Sequence, residues 1–87
     1  MEYFFYILFS KTLNKYYSGY SQNPEDRLQK HNTNHKGFTG KVNDWKIILL
    51  EKFQSKSEAI EREKQIKSWK NRNRIDQLIK SGSDHPD

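Results

Sequence analysis

Eighty-seven residues without a cysteine make one small domain and exclude disulfides and thiolate metal sites as its staples. Sixteen basic against eleven acidic residues give a net charge of +5, read either as a solvated basic surface or as the footprint of a polyanion partner. Hydrophobic residues are only 32% of the chain but fall in runs, which excludes a disordered polymer.

The apolar opening, MEYFFYILFS, is far shorter than the roughly 20 residues that cross a bilayer. It also lacks the basic start and small-residue cleavage site of a secretory signal. It reads as a buried strand of a cytoplasmic protein with no membrane partner. Residues 3–9 form a continuous aromatic and β-branched run, the pattern of a strand covered on both faces. Turn formers follow at 11–15 and β-prone residues at 16–20, so the pair reads as a hairpin.

The stretch N-P-E-D then announces a helix. Asn23 is a suitable N-cap, Pro24 suits the first helical position, and Glu25 and Asp26 complement the positive end of the helix dipole. This helix is expected to end near His31 or Asn32. Residues 32–44 read as a polar loop, and residues 45–53 as a third strand. Ser55 with Glu58 three residues on fits a capping box for a long helix over 56–69. A last helix over about 72–80 carries Ile75, Leu78 and Ile79 at core spacing. The order ββαβαα implies a small, largely antiparallel sheet with helices packed on it, an α+β domain over 2–79. Residues 80–87 read as a polar, flexible tail.

Three features exceed what packing requires. On the long helix, with Ala59 set at zero, Ile66 falls at about −20°, Glu63 at about +40° and Ile60 at about +100°. Glu63 therefore sits inside the apolar stripe, where a carboxylate needs a cation, a set of donors or a metal. On the first helix, Arg27 and His31 lie within roughly 40° of each other. They either flank the buried stripe or offer a phosphate clamp beside a titratable group. In the strands, Tyr6 and Tyr17 are ordinary β-formers or hydroxyl donors and acceptors, and Gly19 marks a bulge or a close backbone approach.

In this order, these residues resemble the GIY-YIG nuclease family. Phe4-Phe5-Tyr6 stands where the first triplet would be and Tyr17-Ser18-Gly19 where the second would be, with ten residues between the two tyrosines. The segment NPEDRLQKH looks like the family's first helix, and SEAIEREKQIKSW like the helix that carries its glutamate. The similarity covers about residues 2–79 and is closest to small stand-alone members. Relatives include the amino-terminal nuclease domain of the bacterial excision-repair endonuclease and intron-encoded homing endonucleases. Phe4 replaces the first glycine and Ser18 the isoleucine.

The resemblance implies a three-stranded antiparallel sheet flanked by helices and a metal-dependent endonuclease acting on DNA rather than RNA, in repair or recombination. It implies catalytic roles for Tyr6, Tyr17, Arg27, His31 and Glu63, with Glu63 ligating one divalent cation, magnesium or manganese, and Gly19 allowing substrate approach. Asn71 or Asn73 falls where some relatives place a further site asparagine. Nucleic-acid contacts are expected from Lys30, Lys36, Lys41, Lys67, Lys70, Arg72 and Arg74, with Trp69 or Phe38 for stacking. A nucleic-acid-binding module or a complex adaptor with little turnover is the alternative, and a monomer and a transient dimer both stay open.

Overall fold

The computed structural model describes residues 2–33 and 42–83. In chain order it contains β1 (Tyr3–Ser10), β2 (Lys15–Ser21), α1 (Pro24–His31), β3 (Lys46–Phe53), α2 (Lys56–Lys67) and α3 (Arg72–Ser83). The strands form one antiparallel sheet in the order β2-β1-β3, so the aromatic β1 lies in the centre. Its side chains alternate between two cores. Phe5 and Ile7 pack with Leu49 of β3 and Ile66 of α2, and Tyr16, Trp69 and the apolar positions of α3 close around them. Tyr6 and Leu8 pack on the opposite face with Trp45, against Leu28 of α1, Tyr17 and Ile47. An uninterrupted apolar strand is what this two-sided burial demands.

Both helix starts follow from their caps. Asn23 Oδ1 accepts from the Asp26 N–H at 3.2 Å, with Pro24 as the first helical residue. Ser55 Oγ accepts from the Glu58 N–H and donates to Glu58 Oε1, each at 3.2 Å. The Ser55 cap is thus present, although Glu58 meets its hydroxyl instead of its backbone N–H. Arg62 of α2 holds Glu51 of β3 through two donors, at 2.7 and 3.1 Å, fastening that helix to the sheet.

Two boundaries differ from the sequence expectation. The long helix ends at Lys67, because the Ser68 hydroxyl turns back to the Gln65 carbonyl at 2.6 Å. The last helix continues to Ser83, so the tail expected from residue 80 begins no earlier than residue 84. Gly82 near a helix end costs too little to stop it, about 1 kcal/mol against alanine. Residues 84–87 lie outside the described residues, as do Lys36, Phe38 and Lys41.

The polar residues before β3 are structural anchors that local pattern could not reveal. Asn32, the C-cap of α1, accepts from the Trp45 N–H at 2.8 Å and donates to the Trp45 carbonyl at 3.1 Å. Asp44 accepts from the Ser10 hydroxyl at 2.6 Å and from the Thr12 N–H and hydroxyl at 2.9 Å each. The Ser10 hydroxyl, then the Thr12 N–H, lower the Asp44 carboxyl from 3.8 to about 2. In the same hairpin turn Asn14 takes a positive φ of 54°, and Arg72 of α3 donates to its carbonyl and side-chain oxygens at 2.9 and 2.8 Å.

Because the folded carboxyl titrates below the unfolded one, the Asp44 contribution is present above pH 4 and disappears as pH falls toward about 2. Chemical denaturation of Asp44→Asn across that interval is expected to show a shallower acid loss than the parent. Equal slopes would remove Asp44 as a source of acid sensitivity.

Candidate active site

Tyr6 and Gly19 face each other across β1 and β2. A Cβ on residue 19 would stand 2.7 Å from Tyr6 Oη and 2.9 Å from Tyr6 Cζ, so the phenol ring occupies the space a side chain would need. The missing side chain lets the ring of Tyr6, only 3% exposed, lie across the strand. The close approach to Gly19 is thus made by the protein's own tyrosine. Tyr17 projects on the same face, two residues before Gly19.

His31 closes this cluster from α1. Its ring lies edge-on to Tyr17 at 4.8 Å between centroids and to Tyr6 at 6.4 Å. Trp45 supports Tyr17 from another side, 6.3 Å away. Asn32 follows His31 in the chain and grips Trp45, so one asparagine sets where α1 delivers its histidine.

Tyr6, Tyr17, Gly19, Arg27 and Glu63 line one cleft of about 390 Å³ at the outer side of β2. Four separate elements contribute to it, and His31 stands behind its two inner tyrosines. Burial, then the neighbouring Tyr17 and Glu63 against the opposing influence of Arg27, pushes the Tyr6 hydroxyl up to about 12. At neutral pH Tyr6 is therefore a hydrogen-bond donor.

The Glu63 side chain is 18% exposed and pairs with Lys67, one helical turn on, at 3.5 Å. Lys67 is itself 55% exposed. The carboxylate thus has the simple cation partner that sequence reasoning allowed, and it faces the cleft. Among the described residues no three histidines, aspartates or glutamates converge to enclose a metal. A lone carboxylate opening on a cleft, with a mobile lysine as counter-ion, still fits a hard cation such as Mg²⁺, which keeps most of its waters.

The other expected contacts are dispersed. Lys30 pairs with Asp26 at 3.6 Å on the exposed side of α1. Trp69 packs against the core on the α2 side, with the Arg74 guanidinium 4.5 Å above its ring. Arg72 is committed to Asn14 and lies 5.0 Å over the Tyr16 ring. These three side chains bind α3 to the body of the protein, so Trp69 is not a free stacking surface. Lys70 is exposed between the helices. Asn71 caps α3, its side chain accepting from the Asn73 N–H at 2.9 Å, and neither asparagine lines the cleft.

Sequence reasoning missed Lys56, Tyr3 and Tyr20, which also line the cleft. Lys56 had a signal: seven residues before Glu63, it falls within about 20° of it on the helix.

A family model described as the GIY-YIG catalytic domain matches residues 2–76. This chain belongs to the GIY-YIG family. The family is one of nucleases, and its membership agrees with the order ββαβαα around a three-stranded sheet. Among solved structures, a UPF0213 protein from Bacillus halodurans, determined by solution NMR, superposes with a TM-score of 0.58. It is 24% identical, and the match covers 97% of this chain and 89% of that one, which shows a common fold. No curated protein matches the chain. This GIY-YIG chain departs from the triplets that name the family: Phe4 pairs with Ser21 and Lys52 at the outer end of the sheet, and Ser18 faces Ile7. Among the described residues no helix is long and apolar enough to cross a membrane.

Gly19→Ala is expected to destabilise the domain by about 1–3 kcal/mol, since the new methyl collides with a buried ring. In a Tyr6→Leu background the same change should cost much less, a coupling that a double-mutant denaturation cycle measures. Tyr6 also makes an alkaline prediction. The folded hydroxyl holds its proton after the unfolded one has lost it, so stability is full below pH 10 and falls between pH 10 and about 12. Denaturation of Tyr6→Phe should show a smaller fall over that interval.

Proposed function

We propose that this protein is a divalent-metal-dependent endonuclease that hydrolyses DNA phosphodiester bonds. The observation that carries this reading is the convergence of Tyr6, Tyr17, Arg27 and Glu63 on one cleft, with His31 against both tyrosine rings. Packing alone would not gather two phenols, a guanidinium and a largely buried carboxylate from four elements.

Each side chain has a distinct part. The Tyr17 hydroxyl acts on the attacking water, as a base or by orienting it, and His31 assists the proton's departure from that tyrosine. Neutral Tyr6 donates a hydrogen bond to the water or to the scissile phosphate. Arg27 supplies a planar fork of donors for the charge that builds on the phosphoryl oxygens. The water oxygen forms its bond to phosphorus as the bond to the leaving sugar oxygen breaks. Glu63 would hold a magnesium or manganese ion, which when bound polarises the phosphoryl group and steadies the leaving alkoxide. Repair or recombination is the setting that similarity to excision-repair nucleases suggests.

The test is a cleavage panel over branched, damaged, single-stranded and duplex DNA, with magnesium, manganese or a chelator. Tyr17→Phe, Arg27→Ala and Glu63→Gln are each expected to reduce cleavage by about 10²-fold or more, while melting temperatures stay close to the parent. Wild-type cleavage by Glu63→Gln in saturating metal would overturn the ligand assignment. Salt-dependent binding with no cleavage of any substrate would instead favour a binding module.

A further inference from the structure

The cleft is larger than the catalytic cluster. Beyond Tyr6 and Gly19 it continues along Tyr3, Tyr20 and Lys56. Phe5 pairs with Tyr20, and Tyr3 lies two residues before Phe5, so by strand alternation Tyr3 and Tyr20 are diagonal neighbours on the face toward α2. Such neighbours stand roughly 7–8 Å apart. Both are half-buried in the cleft wall. The other three tyrosines are engaged with protein: Tyr16 with Asp76 and Phe9, and Tyr6 and Tyr17 with His31. Tyr3 and Tyr20 have no hydrogen-bond or ring partner among the described residues. Lys56, exposed on the first turn of α2, likewise has no ion pair among them, and it shares the cleft with Arg27 of α1.

We propose that this half of the cleft is a subsite for one unstacked nucleotide beside the scissile bond, with its phosphate on Lys56 and its base on the ring of Tyr20. The proposal rests on the nuclease reading and narrows its substrate to strands with an unpaired nucleotide at the cut. A cleft of about 390 Å³ takes a single small ligand rather than a helix. In a duplex the base faces are stacked and only the edges are presented, so an aromatic wall has nothing to recognise there. Once a base is unpaired, its face is available and a tyrosine ring binds it whatever its identity. Two cations on opposite walls, one at the reacting phosphate and one beside it, suit consecutive phosphates of a single strand.

Binding is read by fluorescence anisotropy in a chelator, using one labelled DNA sequence as a single strand, as a full duplex and as a duplex with an unpaired nucleotide. The parent is expected to prefer the two unpaired forms by about tenfold. Tyr20→Leu should remove that preference while Tyr20→Phe keeps it, and Tyr3→Leu replaces the first variant if it does not melt cooperatively. Lys56→Ala should weaken all three complexes alike and lower the salt slope by about one. Equal affinity for paired and unpaired DNA, or a folded Tyr20→Leu that keeps the preference, would overturn the subsite. Cleavage of the same oligonucleotides with manganese separates the two readings. Preference without cleavage sinks the nuclease and leaves the subsite, and cleavage without preference does the opposite.

Discussion

The ring of Tyr6 can lie across β2 only because residue 19 has no side chain. The hydroxyl of a nearly buried residue thereby reaches the open side of the sheet, where Arg27 arrives from α1 and Glu63 from α2. Glycine weakens a strand, and the loss is offset here by a well-packed phenol that no other geometry at this position would admit. A β-branched residue at 19 would make a better strand and a worse cleft. The strand therefore departs from local preference where the chemistry gathers, as strained or suboptimal positions in folded proteins tend to do.

Around that contact the sheet divides the labour. One face uses α1 and Trp45 to hold the histidine and the second tyrosine. The other carries α2 and α3 and most of the aliphatic core. The fastenings are mainly polar and long in sequence separation: Asn32 on the Trp45 backbone, Asp44 on the hairpin turn, Arg62 on Glu51 and Arg72 on Asn14. With so small a core, such contacts determine the relative placement of elements more than hydrophobic area does.

Much of this was legible in the chain because it is written locally. The N-P-E-D and Ser55–Glu58 caps start helices by chemistry within four residues, and an unbroken aromatic run can only be a strand buried on both sides. Glu63 stood out because a carboxylate inside an apolar stripe is energetically conspicuous. Asn32 and Asp44 did not stand out, since asparagine and aspartate in a polar loop look the same whether they grip a distant backbone or water. Trp69, Arg72 and Arg74 misled for a related reason. A tryptophan among basic residues has the composition of a nucleic-acid surface, and only packing shows that two of the cations and the ring serve α3. Tyr3 and Tyr20 were hidden by abundance, because a tyrosine in a strand needs no explanation until its neighbours prove to have partners and it does not.

The ion pair between Glu63 and Lys67 has a bearing on how the protein comes into being. A largely buried carboxylate reserved for a metal would repel its surroundings in a newly folded chain, and domains built that way remain unfolded until the ion arrives. Here a lysine one turn away supplies the missing charge from the same helix. It is in the orientation that helices favour, glutamate before lysine, and it sits on a flexible stem that can swing aside. Folding and loading are thereby separate events: the polypeptide can mature in a cell short of free cation and acquire its ion afterwards.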